Sequence, residues 1–192
     1  QQPGSVAVIH YATWGACAIL LLAVGLRIRP PWVDKSAFPV DAFAYMRAHR
    51  LSGRLVAHFD WAQYALYAFA PATTLQFDGR FETAYPEEIA DMHFDFLLGD
   101  EGGRQVSGDP ARVLDFGRPE LVLVSRRYLH PVSVLMRRQN DWVLLYQDEL
   151  AQLWGDRRKY DEPARADYLP SAQRAISEQP QHGRVPWPAL PN

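Results

Sequence analysis

The sequence predicts an α/β protein with one N-terminal transmembrane helix, a small, mainly parallel, doubly wound sheet with a C-terminal hairpin, and an extended proline-rich tail. Three observations predict this fold class. Residues 4–26 are almost entirely apolar, the middle of the chain alternates strand-like with helix-like segments, and the tail holds six of the fifteen prolines. We therefore divide the chain into a transmembrane anchor over 1–29, an α/β domain over 30–155 and a tail over 156–192.

The N-terminal apolar run is GSVAVIHYATWGACAILLLAVGL, which contains no lysine, arginine, aspartate or glutamate and a single histidine, His10. A helix of this length rises roughly 33 Å, enough to cross a hydrocarbon core of about 30 Å. A secretion signal has a shorter apolar core of about 7–15 residues, preceded by basic residues. Because no basic residue precedes Arg27, we expect a retained anchor. Small residues suited to helix packing in lipid are Ala12, Gly15, Ala16 and Ala23.

The composition limits the classes of partner. The net charge is −2, from 20 basic and 22 acidic residues, and gives no electrostatic case for binding nucleic acid. The single cysteine, Cys17, lies inside the apolar run, so no disulfide forms within the chain. Because the apolar run is long enough to cross a bilayer, we expect the partners to be the lipid bilayer and the subunits of an integral membrane protein complex.

After a short linker, the first helix and strand of the domain are predicted from their boundaries. The helix over 39–51 begins at a proline, whose fixed φ suits a first helical turn, and Gly53 is predicted to end it. Residues 54–59 then form a short apolar run typical of a strand.

The next helix and strand end in the most distinctive motif of the chain. The helix over 60–70 is predicted to be capped by Asp60 and to end at Pro71. Its apolar residues, at 61, 64, 67 and 69, predict a buried helix. A strand over 73–78 then runs into a turn.

The second half of the domain continues the alternation. A helix over 86–98 has acidic residues in its first turn, where they favour the helix dipole. A flexible loop at 99–104 and a short helix at 110–117 follow. The continuous apolar strand over 120–125 is of the type buried on both faces. The final two strands, at 142–148 and 149–154, are joined so tightly that we expect an antiparallel hairpin.

The proline-rich tail has too few clustered aliphatic residues to fold by itself. If ordered, it must lie on another surface, either its own domain or a partner. The aromatic and aliphatic residues that we expect to anchor it on a partner are Tyr160, Tyr168, Leu169, Trp187 and Leu190.

The sharpest candidate site is the motif FDGRFE, residues 77–82. Here Asp78 and Arg80 present a carboxylate and a guanidinium at a strand end, where α/β folds bind ligands. The alternative is that the two side chains pair with each other and brace the turn.

The motifs give no support for metal or covalent catalysis. Asp91, His93 and Asp95 lie two residues apart on a predicted helix and so do not share a face, and His58 is followed by only one nearby acid. The chain has no G-x-S-x-G, C-x-x-C or H-E-x-x-H motif, and the loop over 99–104 lacks a phosphate-binding lysine. We expect no cofactor, no metal site and no catalytic residue.

Several segments occur in an order shared with a known family. They are FPVDAFAYMRAHRLSGRL, HFDWAQYALYAF, LQFDGRFETAYPEE and Trp142–Asp148. Over residues 20–154 this order resembles the C-terminal extramembrane domain of bacterial polytopic GT-C (protein-mannosyltransferase-like) glycosyltransferases, which use lipid-phosphate sugar donors. The resemblance implies a non-catalytic domain, because the family's catalytic acids lie in an early external loop that is not in this chain. Ala62-Gln63 also replaces the family's paired glycines.

The flanking charges and the resemblance point to opposite sides of the membrane. Arg27, Arg29 and Lys35 follow the apolar run, which by the positive-inside rule would place the domain in the cytoplasm. The resemblance implies the periplasm instead. We adopt a single-pass protein of the bacterial inner membrane with a periplasmic domain as our expectation.

Two hypotheses on function follow. The first is a non-catalytic, membrane-anchored accessory or structural subunit of a larger bacterial membrane complex, for example respiratory or photosynthetic. The alternative is a glycan or lipid-linked-sugar binding module that works with a separate glycosyltransferase and uses Asp78, Arg80, Trp61 and Tyr64 as a polar and aromatic platform. A binding module needs that surface open to solvent, whereas a structural subunit tolerates it buried or self-paired.

Overall fold

The computed structural model of the protein describes residues 3–27, 31–187 and 189. Within these residues the helices are α1 Pro3–Arg27, α2 Val40–Ala48, α3 Phe59–Phe69, α4 Phe81–Ala84, α5 Glu87–Leu98, α6 Arg112–Asp115, α7 Leu129–Arg137 and α8 Arg157–Tyr160. The strands are β1 Trp32–Asp34, β2 Gly53–Ala57, β3 Thr73–Leu75, β4 Leu121–Ser125, β5 Trp142–Gln147, β6 Ala151–Asp156, β7 Ala175–Ile176 and β8 Arg184–Pro186.

The chain divides into two compact units between Trp32 and Val33. In the first unit, the segment His10–Arg27 of α1 is long and apolar enough to cross a membrane, and none of it is buried within the structure. A secretion signal near an N-terminus meets the same criteria of length and composition. The structure therefore agrees with the predicted apolar helix.

The second unit is built on a mixed, mostly parallel sheet of six strands in the order β3-β2-β4-β6-β5-β7. Strand β2 runs parallel to both β3 and β4, and β7 runs parallel to β5. The antiparallel pairs are β4 with β6 and β6 with β5. The predicted α/β class and the closing β5–β6 hairpin are confirmed, and the sixth strand, β7, comes from the tail.

Helices cover both faces of this sheet. Successive side chains of a strand point to opposite faces, so each strand contributes to two cores. On one face Leu55 of β2 joins Phe43 of α2 in a hydrophobic core. On the other, Val56 of the same strand joins Phe96 of α5 and Leu135 of α7 in a second core. The parallel strands are thus buried on both sides, as their continuous apolar sequences predict.

Two predicted boundaries are wrong. Helix α2 ends at Ala48, and Gly53, with a φ of +131°, opens β2 instead of ending the helix. Helix α3 begins at Phe59 with His58 at its N-cap, so Asp60 lies inside the first turn and is not the cap.

The tail folds back onto the domain and belongs to the same compact unit. Tyr160 and Leu169 are buried in the core of the α2–α3 face, with 1% and 5% of their surface exposed. Near its end, β8 forms a two-stranded sheet with β1, and the backbone N–H of Lys35 donates to the carbonyl of Gly183 at 3.1 Å. The domain itself therefore supplies a surface on which the tail lies.

Candidate functional site

The Asp78–Arg80 turn follows β3 at the carboxyl edge of the parallel strands. The Asp78 side chain is 1% exposed, and the Arg80 guanidinium donates to both of its oxygens, at 2.9 Å from Nε and 2.6 Å from Nη2. The backbone N–H of Arg80 donates to Oδ1 at 2.9 Å, and the Tyr85 hydroxyl donates to Oδ2 at 3.1 Å. These hydrogen bonds, those from Arg80 above all, hold the pKa of Asp78 below its usual value. The carboxylate is fully used within its own turn.

An aromatic cluster lies beside this turn. The Phe77 ring stacks on the His93 imidazole with centroids 4.5 Å apart, and Tyr85 and Phe94 pack against Phe77 at 5.2 and 5.6 Å. Burial lowers the pKa of His93 to about 4, so the ring is neutral near pH 7. Its Nδ1 lies 2.9 Å from the carbonyl of Ile89 and donates to it in the neutral form. His93 is therefore a packing residue of the cluster.

Trp61 and Tyr64 lie in the core of the α2–α3 face, not on an open surface. They are 3% and 2% exposed. The Trp61 indole N–H donates to the carbonyl of Ala37 at 3.1 Å, and the Tyr64 hydroxyl donates to the carbonyl of Ala189. The periodicity that predicts a buried α3 explains this outcome, because both rings lie on the apolar face of the helix. The predicted sugar platform is not a solvent-accessible surface in this structure.

A histidine–tyrosine stack lies where the strand order reverses, which is the usual ligand crevice of an open α/β sheet. His58 follows β2, its backbone N–H donates to Leu123 of β4, and its ring stacks on Tyr128 with centroids 5.0 Å apart. His58 is 6% exposed, and its Nδ1 lies 3.9 Å from the Asp60 carboxylate without a hydrogen bond. Burial lowers the pKa of His58. Nothing in the sequence motifs indicated this contact, which joins residues 70 positions apart.

Two further buried carboxylates are saturated by the chain itself. Asp148 accepts from the backbone N–H groups of Leu150 and Ala151 at 2.7 Å each, from the Tyr146 hydroxyl at 2.6 Å, and from the Gln181 amide at 2.7 Å.

Asp95 is the second of these two buried carboxylates. It accepts from the Arg104 guanidinium and from the backbone N–H groups of Ser107 and Gly108 at 3.0 and 3.1 Å. Asp78, Asp95 and Asp148 are the buried acids of the described residues, and each one fixes a loop or turn.

The predicted partner-binding residues of the tail separate into two groups. Tyr160 and Leu169 are core residues of this domain and offer no surface to a partner. Tyr168 is half-buried, and Trp187 remains 44% exposed with its ring 6.1 Å from Tyr64. Leu190 lies outside the described residues.

The predicted packing residues of the apolar helix are all exposed along α1: Ala12, Gly15, Ala16 and Ala23. They remain candidates for contacts with another protein in lipid. Cys17, on the same helix, is a free and exposed thiol.

Among the described residues, no group of three or more histidine, cysteine, aspartate or glutamate side chains is placed to hold a metal ion. Comparison with known proteins found no matching protein-family model, no matching curated protein and no matching solved structure.

Proposed function

We propose that this chain is a non-catalytic, membrane-anchored accessory or structural subunit of a larger bacterial membrane protein complex. One observation carries the proposal. The side chains of His10–Arg27 are entirely unburied by the chain's own fold, although eight of these 18 residues are large and apolar. Such a surface is stable only in lipid or against another apolar surface, because exposing it to water is unfavourable.

The state of the buried polar groups supports a structural role for the domain. Asp78 is bonded to Arg80 and Tyr85. Asp95 is bonded to Arg104, and Asp148 is bonded to Tyr146. Catalytic acids and bases need contact with a substrate, whereas these groups have exhausted their acceptor positions on the fold. The same facts count against the sugar-binding alternative, whose aromatic residues are in the core.

The proposed location is the bacterial inner membrane, with the domain on the periplasmic side. The resemblance to the extramembrane domains of GT-C glycosyltransferases supports this side. The basic residues Arg27 and Lys35 favour the opposite one. Labelling the domain in intact cells with a membrane-impermeant reagent decides between them.

The main experiment is purification of the chain from its native membrane in a mild detergent, with mass spectrometry of the proteins that co-elute. We expect recovery at fixed stoichiometry with one large integral complex. Gly15→Ile and Ala16→Ile place bulk on the small-residue face of α1, and we expect both to release the chain from that complex.

Leu21→Ile is the matched control, since it lies on the opposite side of the helix and keeps its apolar volume. This variant should co-elute as the wild type does. Elution of the wild type alone, or with a polyprenyl-phosphate sugar transferase, would contradict the proposal and favour the sugar-handling alternative.

A further inference from the structure

The amino edge of the parallel strands carries two neighbouring cavities, of about 330 and 370 Å³, that share Ala72 in their walls. The first lies between the ends of α2 and α3, and the second lies where β2, β3 and β4 begin. Neither cavity includes a residue of the predicted Asp78–Arg80 site.

The first cavity is mainly apolar. Its walls include Met46, Leu51, Ala68 and Phe69. Thr73 also lines it, and this residue is 98% buried, with a hydroxyl that has no hydrogen-bond partner among the described residues. A buried hydroxyl without a partner is unfavourable, and an oxygen atom of a bound ligand would satisfy it.

An arginine on this cavity occupies a backbone conformation that favours glycine. Arg50 has a φ of +54° and follows the C-cap of α2. The backbone N–H of Leu51 donates to the carbonyl of Met46 at 2.8 Å, and the backbone N–H of Arg50 donates to the carbonyl of Arg47 at 3.1 Å. This pattern is a Schellman motif, whose left-handed position is usually glycine. The fold therefore places a long cationic side chain at a backbone position where glycine, which has no side chain, is more stable.

The second cavity repeats this feature. Arg118 lines it and also has a φ of +54°. Arg54 lines the same cavity. The guanidinium groups of Arg50, Arg54 and Arg118 have no ion pair or hydrogen bond among the described residues. The cavity's one acid, Glu120, is already engaged by Lys159 at 2.8 Å and by the backbone N–H of Arg54 at 3.1 Å. The edge thus has an unneutralised positive charge in a chain of net charge −2.

We propose that this amino edge binds an anionic amphiphile, with a phosphate or carboxylate head between the arginines and an alkyl chain in the apolar cavity. Arg50 and Arg118 hold the head by charge-assisted hydrogen bonds. The alkyl chain packs on Met46, Leu51 and Phe69, and the Thr73 hydroxyl donates to an oxygen of the ligand. The site is independent of the proposed role as a subunit, since it uses no residue of α1 and no partner protein.

The test uses the full chain in phosphatidylcholine nanodiscs and a ten-carbon alkyl phosphate with a photoreactive diazirine at its chain end. We expect cross-links, mapped by mass spectrometry, between the probe and residues 46–51 or 69–73. Decyl phosphate should compete at least about tenfold better than decanol or inorganic phosphate, because both the charge and the chain contribute to binding.

The variants Arg50→Gly and Arg118→Gly remove a guanidinium without disturbing the fold, because glycine suits both backbone positions. Each should keep or raise the thermal midpoint and reduce labelling at least about tenfold. Arg50→Lys should retain most of the labelling, and Arg137→Gln, which changes an exposed arginine on α7, should leave it unchanged.

Three outcomes would overturn the proposal. The first is labelling in both glycine variants equal to that of the wild type. The second is labelling confined to residues outside the two cavities. The third is competition by inorganic phosphate equal to that by decyl phosphate, which would instead indicate a site for a free anion.

Discussion

At the carboxyl edge of the sheet two buried carboxylates are bonded by the chain itself, whereas at the amino edge three exposed arginines have no ion pair among the described residues. Asp78 and Asp148 at the first edge accept four hydrogen bonds each. At the second edge Arg50, Arg54 and Arg118 have no acidic partner among the described residues. Open α/β sheets usually bind ligands at the carboxyl edge. In this protein the buried carboxylates at that edge are bonded by the fold, and the arginines of the proposed binding site lie at the opposite edge.

The largest expected effect is the loss of stability when the Asp148 carboxylate at the carboxyl edge is removed. Asp148→Ala leaves four donors without an acceptor in a buried position, and we expect a loss of about 3–5 kcal/mol in the free energy of unfolding. Urea denaturation measures this loss. Asp109→Ala is the matched control, because Asp109 is an exposed acid that accepts from the N–H of Ala111 at 2.9 Å. A loss at position 148 no larger than at position 109 would contradict the structural role of the buried acid.

The next effect is a pH dependence from the buried histidine beside the same edge. Burial lowers the pKa of His93 to about 4, below the value near 6.5 in an unfolded chain. The unfolded state therefore binds a proton first, so stability falls as the pH drops from about 6.5 through 4, by about 3 kcal/mol in total.

His93→Phe keeps the ring stacked on Phe77 and removes the titrating group. We expect its free energy of unfolding to decline less than that of the wild type across that pH range, by about 3 kcal/mol. Burial also lowers the pKa of His58, but this contribution is the same in both proteins. Urea denaturation at several pH values compares the two proteins. Parallel declines would show that His93 is not the group responsible.

A smaller loss is expected at the Asp78–Arg80 turn. Asp78→Asn removes the charge that Arg80 and Tyr85 bind, and we expect a cost of about 1–2 kcal/mol because the Arg80 side chain is 61% exposed. The pKa of Asp78 is lowered by hydrogen bonds from Arg80, so its contribution is present above pH 3.8 and is lost as the pH falls through the folded value. Wild type and variant should therefore converge in acid, and a constant difference down to pH 2 would refute this origin.

The smallest expected effect is a gain in stability, and it concerns Arg50 at the amino edge. Arg50→Gly should stabilise the protein by about 0.5–1 kcal/mol, because glycine adopts a positive φ without the Cβ penalty. Arg47→Gly, three residues earlier and inside α2, should destabilise it by about 1 kcal/mol. Thermal unfolding distinguishes the two signs. Destabilisation by Arg50→Gly would mean that the side chain supports the fold.

The regular elements of this fold were predictable because their signals are local. The apolar run of β4 and the spacing of apolar residues in α3 identify buried elements within about ten residues. Helix ends were less predictable. The end of α2 depends on a left-handed Arg50, and no sequence rule places arginine at a position that normally requires glycine.

The tail was harder to predict, since the residues that bury it are scattered. Tyr160, Leu169 and Gln181 are separated by nine and twelve positions and form no period. Their burial depends on partners far away in the sequence, such as the backbone N–H of Asp41, which donates to Gln181 at 3.1 Å. Composition alone therefore described a disordered-looking segment that the domain in fact holds in place.

For the candidate site, the alternative of an Asp78–Arg80 pair anticipated the geometry, whereas the sugar platform did not. Trp61 and Tyr64 had already been placed by periodicity on the apolar face of α3, so their use on an open surface conflicted with the predicted helix. The arginine edge was not predicted, because Arg50 and Arg118 are 68 positions apart and are brought to one edge only by the pairing of β2 with β4.

The pairing of β1 with β8 sets an order of events during synthesis of the chain. Lys35 and Gly183 are joined by a hydrogen bond but are separated by almost 150 residues. At about 5–20 residues per second, the ribosome needs on the order of 10 s to make the second partner after the first. During that interval the start of the domain has no strand to pair with, so a chaperone or a membrane surface has time to act on it before the domain closes.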